Sequence, residues 1–424
     1  MKKKIIKFFL LVSSLLILII IYLSFIGLET EKFNRQIKEK ITQTNKNLEI
    51  KLKKIKLTLD LSNFKIKAKT IGVNILYKGK PLELEYVKTQ ISILSLIKDK
   101  FVSSNLEFST KSILLKDLIS FIKATTNKPE FFILEKTIKK GQVIADVKLN
   151  FDENGEISQD YIINARLKDG KIELFKNYNF EKINFILDAK NDIFSFKDVS
   201  FLTNKTSFFS NNLVVVRDKR NFKFEGEIQN KDSNLNNELL KLFNLNFKNL
   251  NLLNTNFTSK NKFSFNVNNK FKIKNILIDS DIQINKSDYL KPSLLSDYLP
   301  EVKNIFHIKD HKIKSRYKKN NLTIQGSGKI QLEQEFDEIN YKINLKENKF
   351  NLDSNIKLNK LTINNQEFLK SFFPKSKKVV DLKNQQIEIK YNNDNLLIKG
   401  FGKIKLEKEF ENKNINFLKS KNKF

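Results

Sequence analysis

The chain has two histidines, His307 and His311, four apart in the stretch HIKDH with Asp310 between them. On a helix this spacing would bring both imidazoles to one side, as in a zinc site. The surrounding sequence alternates as a strand does, and there residues four apart point the same way but lie about 13 Å apart. Seventy-four residues later, a sister segment has Asp381 and Gln385 at these places. No metal and no cofactor is therefore expected. Carboxylates are scattered and mostly alternate with lysine. G-x-S-x-G, G-x-x-x-x-G-K-[ST] and H-E-x-x-H are absent, so no recognised nucleophile elbow, phosphate loop or metalloprotease helix is present. The lack of cysteine removes disulfides, thiolate ligands and a cysteine nucleophile. The chain reads as a non-enzyme.

Lys+Arg is 78 and Asp+Glu 47 among 424 residues, a net charge of +31. Charge of this size accompanies nucleic acid or an anionic membrane surface. Abundant Lys, Asn, Ile and Phe with no Trp also fits codon drift in an A/T-rich genome. No zinc-finger spacing, RNP-like motif or helix-turn-helix signal supports nucleic acid, and none is expected as a partner.

Phe8 to Leu28 is a run of 21 residues without a charge, roughly 31 Å as a helix and enough to cross a bilayer core. Lys2, Lys3, Lys4 and Lys7 precede it and place the N-terminus in the cytoplasm. The run ends FIGLETEK, without the small-residue site of a cleaved signal. We expect a cytoplasmic tail at 1–4, a single transmembrane anchor at 5–28 and an exported body. Phe33, Ile37 and Ile41 then suit a short amphipathic helix at 29–47.

From Leu48 the period becomes two, with apolar parity shifting at Lys53-Lys54, which marks a bulge or a break between strands. Strand patterns fill an N-terminal β region (48–127) and a middle β region (128–264), interrupted by helical stretches near Leu114–Lys123 and Asn236–Phe243. NLTIQGSGKIQLEQEF from Asn321 and NLLIKGFGKIKLEKEF from Asn395 are identical at eleven of sixteen positions. The 74-residue offset also carries Asp279 onto Asp353, Ile313 onto Ile387 and Tyr317 onto Tyr391. Two tandem units are expected, 265–338 and 339–412, and 413–424 begins what would be an incomplete third. Each holds strands and a short helix ending at a proline. Repeats of this kind stack because one unit cannot bury its apolar face alone. Gly326 and Gly328, like Gly400 and Gly402, sit in phase with apolar residues of their strand, so they mark a bend or a close approach on the apolar side. A curved sheet with a concave apolar face and a twisted sandwich both satisfy this pattern.

The anchor, LEIKLKKIKLTLDLSNFKIKAKTIGVNIL, VKTQISILSLIKDKFVSSNLEFSTKSILLKDLISFI and the strands ending I.G.GKI together resemble the AsmA-like family, with its AsmA, TamB and YhdP types. The resemblance implies a mainly β fold: an elongated, curved antiparallel sheet, a repeating β-groove with a few short helices behind one transmembrane helix. It also implies a bacterial inner-membrane protein, its body in the periplasm, active in phospholipid transfer or outer-membrane homeostasis. Bridge-like members of that family are much longer than this chain.

An uncovered apolar floor is unfavourable in water by about 25 cal/mol per Å², so a groove needs an apolar filling such as acyl chains. The in-phase residues Ile55, Leu57, Leu59 and Leu61, with Ile324, Ile330, Leu332, Ile398, Ile404 and Leu406, are the candidate lipid contacts. At about 12 residues per strand, turns included, the body would hold roughly 30 strands, an upper figure on the order of 140 Å of groove. Expected partners are phospholipid acyl chains, the inner membrane and envelope proteins. The alternative is an envelope scaffold or assembly factor with a closed sheet body and no lipid. A weaker third reading, a secreted basic protein on anionic polymers, would show steep salt dependence.

Overall fold

The computed structural model describes residues 2–32, 34–35, 38–39, 46–94, 103–126, 129–151, 160–174, 178–218, 221–235, 252–268, 270, 272–291, 299–347, 349–364, 379–405 and 409–420. Among these, 22 strands form one open antiparallel sheet, and two compact units divide the chain: 1–201 with 214–216, and 202–213 with 217–424.

Unit 1 begins with helix α1 (Lys2–Phe25), of which Ile6–Phe25 is long and apolar enough to cross a membrane. It passes almost directly into β1 (Leu28–Thr30), so Leu28 to Thr30 are extended and not part of a helix. Phe33, Ile37 and Ile41 lie outside the described residues. The parity shift at Lys53-Lys54 is a break, which separates β2 (Leu48–Lys51) from β3 (Ile55–Asp60). Both pair with β4 (Lys65–Tyr77), β2 at its second half and β3 at its first. β5 (Lys80–Ser92), β6 (Ser103–Thr110) and β7 (Ile113–Leu114) follow. Helix α2 (Leu115–Thr126) matches the expected helical stretch. Helix α3 (Pro129–Thr137) was not anticipated, because PEFFILEKT carries no clear apolar period. β8 (Ile138–Asn150), β9 (Ile162–Leu174), β10 (Tyr178–Lys190) and most of β11 (Ile193–Thr203) complete the unit.

Unit 2 contains β12 (Thr206–Asp218, apart from residues 214–216), β13 (Asn221–Leu235) and β14 (Leu252–Asn268). Then come β15 (Ile273–Leu290), β16 (Ile305–Lys318), β17 (Asn321–Gln331) and β18 (Phe336–Lys346). β19 (Lys349–Asn364), β20 (Val379–Tyr391), β21 (Asn395–Lys405) and β22 (Phe410–Ser420) repeat those four. The 74-residue offset carries β17 onto β21 and β18 onto β22 end to end. The repeat is thus a four-strand meander. The proline-ended stretch of the second unit and the helix expected at 236–243 fall outside the described residues, and that of the first unit is described only at Leu299 and Pro300. Among the described residues 22 strands are found where roughly thirty were expected, and the longest, β15, has 18 residues.

Two local devices set this architecture. Hairpins close on two-residue turns with both φ positive, at Lys78-Gly79 (48°, 72°), Asn191-Asp192 (49°, 65°), Asn204-Lys205 (46°, 66°) and Lys319-Asn320 (49°, 61°). Such turns match the right-handed twist of the strands they join. Inside the strands, single left-handed residues form bulges: Asp169 in β9, Lys182 in β10, Asp198 in β11, Asp310 in β16 and Asn384 in β20. Each adds one residue and changes parity. In β20, Val380 and Leu382 precede Asn384, whereas Gln385, Ile387 and Ile389 follow it on the same face.

Candidate functional site

Antiparallel partners share a face, so the register shows what lines the sheet. In unit 1 one row runs Ile55, Thr70, Val87, Phe108, Val147, Ile163 across successive paired strands. The next runs Leu57, Ala68, Thr89, Leu106, Leu149. Directly behind them, on the other face, runs Lys56, Lys69, Lys88, Glu107, Lys148. In unit 2 an eight-strand row reads Ile282, Ile313, Gly326, Tyr341, Ser354, Ile389, Ile398, Phe417. Its reverse reads Asp281, Lys314, Gln325, Lys342, Asp353, Lys390. Each unit therefore presents one apolar face and one charged face.

The apolar face is roofed over part of its extent. Leu118 and Phe121 of α2 pack on Val73, Leu82 and Leu84, and Leu115 packs on Val143, Leu167 and Ile183. In unit 2, Leu299 and Val302 lie with Phe306, Leu358, Leu361, Val380, Leu382 and Ile404. Elsewhere the face is only half-buried, as at Ile66, Leu106, Leu149, Ile324, Ile343 and Ile398.

The candidate residues separate accordingly. Leu57 and Leu59 are half-buried on the face of unit 1; Ile55 is buried, at 5 % exposure, and Leu61 stands at a turn, 46 % exposed. Ile324 and Ile398 lie on the half-buried stretch of unit 2. Ile330 and Leu332 pack against the roofed cluster, and Ile404, 2 % exposed, is inside it, so Ile404 serves the core. Leu406 lies outside the described residues. Sequence reasoning missed the phenylalanines of β13 and β14. Phe224 and Phe265 stack at 4.9 Å and Phe263 and Phe265 at 5.8 Å, on the same face as Ile282. Their signal was the alternating aromatics in NFKFEG and NKFSFNV.

The glycines mark close approach. A Cβ on Gly326 would lie 2.2 Å from the Tyr341 ring, and one on Gly328 would lie 2.3 Å from the His311 ring. His311 and Tyr341 lie flat over this gap with ring centroids 5.5 Å apart and Nε2 3.0 Å from the tyrosine oxygen. Burial lowers the imidazole pKa and raises that of the phenol. In the sister strand Gly402 admits Gln385 and the carbonyl of Asn384, while a Cβ on Gly400 would meet Ile415 only at an ordinary 3.6 Å. The two histidines do not point the same way, as plain alternation required. The bulge at Asp310 sends His307 to the charged face, where its Nδ1 lies 2.8 Å from Asp288, and His311 to the apolar one. They cannot ligate a common ion.

Two buried carboxylates, Glu333 and Asp337, lie just before β18 and at its start. Asp337, 1 % exposed, accepts the Asn359 amide at 2.7 Å with one oxygen; the other is buried without a hydrogen-bond partner. Burial pushes its pKa up to about 6. Glu333 accepts the Thr362 amide at 2.5 Å. These side chains serve backbone donors of β19 beyond its pairing with β18, which stops at Glu338–Lys357.

The chain matches no family model, no curated protein and no solved structure.

Proposed function

We propose that the protein shelters lipid acyl chains on its apolar face, as an inner-membrane-anchored, periplasmic β-groove protein of AsmA-like kind serving phospholipid transfer or outer-membrane homeostasis. The observation that carries this reading is the one-sided sheet. Rows made mainly of aliphatic and aromatic side chains cross up to eight paired strands, and most of those side chains stay half-buried. A scaffold body would bury such rows between two sheets, whereas the strands here belong to one. Half-exposed apolar area costs about 25 cal/mol per Å², and acyl chains, needing no hydrogen-bond partners, relieve that cost at any point along the face. Head groups would remain in water, so no convergent polar pocket is required. The helix Ile6–Phe25 supports the membrane assignment.

The test is native mass spectrometry and lipid extraction of the full chain purified in mild detergent. The comparison is a variant with Ile324→Glu, Ile343→Glu and Ile398→Glu, and a control with Thr323→Glu on the charged face. Phospholipid bound by the wild type and control and lost by the triple variant, with circular dichroism unchanged, is expected. A folded wild type free of lipid would overturn the reading in favour of the scaffold.

A further inference from the structure

The end of the anchor and the β3–β4 turn share one corner of unit 1. Helix α1 ends at Phe25 and β1 begins at Leu28, so only Ile26 and Gly27 separate them. Leu28 pairs with Leu57, and one step back along this register Gly27 meets Thr58. A Cβ on Gly27 would lie 2.5 Å from the Leu57 carbonyl and 2.7 Å from the Thr58 methyl, and its φ is +78°. The helix end is thus held against β3, with which it packs. From there β3 runs on for two residues and turns.

That turn exposes large apolar side chains. Leu61 is 46 % and Phe64 66 % exposed. Leu94, 61 % exposed, follows the end of β5, whose Ser92 pairs with Lys65. One exposed leucine signifies nothing, but three such residues at one row of strand ends, beside a helix of bilayer length, form a patch that asks for a partner. The turn is also held in shape. The Asp60 carboxylate accepts from the Ser62 hydroxyl at 2.7 Å and from the Asn63 side-chain amide at 3.1 Å, and pairs with Lys67 at 2.7 Å. Phe64 is left-handed, with φ 49°, and its carbonyl accepts the Ile93 amide at 3.0 Å.

We infer that this corner is a membrane-inserting tip: Leu61, Phe64 and Leu94 enter the hydrocarbon of the leaflet from which the anchor emerges, and Lys65 and Lys67 stay at head-group level. Long lysine stems suit that placement. The inference rests on α1 spanning a bilayer. It adds to the proposed function, because Leu61 continues the in-phase series Ile55, Leu57, Leu59, so the apolar face of unit 1 runs out at the tip.

The chain has no tryptophan, which makes single reporters clean. Full-length L61W and F64W would be reconstituted in nanodiscs with and without brominated acyl chains. Y22W serves as the reporter in the anchor, and F401W, at a 56 % exposed position on the charged face of unit 2, as the water reference. Blue-shifted emission and loss of intensity to brominated lipid are expected for Y22W, L61W and F64W, with neither for F401W. Quenching of Y22W alone overturns the tip and leaves the anchor. An unquenched Y22W overturns the anchor and the inference with it. Neither result bears on lipid carriage in the separate extraction experiment.

Discussion

Gly326 and Gly400 occupy matching places in near-identical strands, yet their surroundings predict different responses to one added methyl group. At Gly326 the new Cβ would overlap the Tyr341 ring at 2.2 Å, while at Gly400 it would touch Ile415 at 3.6 Å. Gly326→Ala should destabilise by about 1–3 kcal/mol, as overpacking does, and Gly400→Ala should stay within about 0.5 kcal/mol of wild type. Thermal melts of both, with Gly326→Ala repeated in a Tyr341→Ala background, check this; equal effects at the two glycines would remove the ring as the cause. Asp337 offers a second test. Burial raises its folded-state pKa to about 6 from the ordinary 3.8, so the folded protein binds the proton more tightly than the unfolded chain. Its stabilising contribution is complete below 3.8 and lost as pH rises through about 6. Asp337→Asn keeps an acceptor for the Asn359 amide and removes the charge. Relative to wild type it should gain about 1–2 kcal/mol in going from pH 4 to pH 7.5. Parallel melting curves across that range would refute the assignment.

At the scale of the strand, the device that sequence reasoning overlooked was in plain print. Leu167-Lys-Asp-Gly170, Phe196-Lys-Asp-Val199, Ile308-Lys-Asp-His311 and Leu382-Lys-Asn-Gln385 share one form. An apolar residue, a lysine and an Asp or Asn precede the next inward residue, and the Asp or Asn is left-handed each time. Asp and Asn reach that conformation more easily than other side chains. Asp310→Gly should therefore be neutral or stabilising, whereas Asp310→Val should cost about 1–2 kcal/mol; urea midpoints decide, and equal costs would sink the bulge argument. Alternation, helix α2 and the 74-residue register were legible because each is local or a direct identity. The parity changes were not, because strict alternation was assumed to hold through each strand. The burial of Ile404 was also hidden: it depends on Leu299 and Val302, about a hundred residues away in sequence, lying in the same cluster. The glycines showed a close approach but not its occupant, since Tyr341 and His311 come from neighbouring strands.

For the whole molecule, the repeat implies that length and stability are modular. The four strands β15–β18 present to β14 the pattern that β19–β22 would offer in their place. Ile278, Asp279 and Ile282, which pair with Phe263, Lys262 and Ser259, become Leu352, Asp353 and Ile356 at the same offset. Removing residues 273–346 should let β19 pair with β14 without changing which face is apolar, because every strand is replaced by its own counterpart. A cut of half that length, 273–309, would instead join β14 to the interior of β16 and bring its bulge to the wrong neighbour. In repeat proteins stability is close to a sum over units and their interfaces. The 74-residue deletion should therefore fold, with a far-UV spectrum of the same shape and a lower melting temperature, and the half deletion should aggregate. Under the proposed function the shortened chain should also bind fewer phospholipids than the full one, since a share of the apolar face has gone with the strands. Unchanged lipid per folded chain would place the lipid on unit 1, on β12–β14 or on β19–β22, and would end the view that lipid load grows with the number of repeated units.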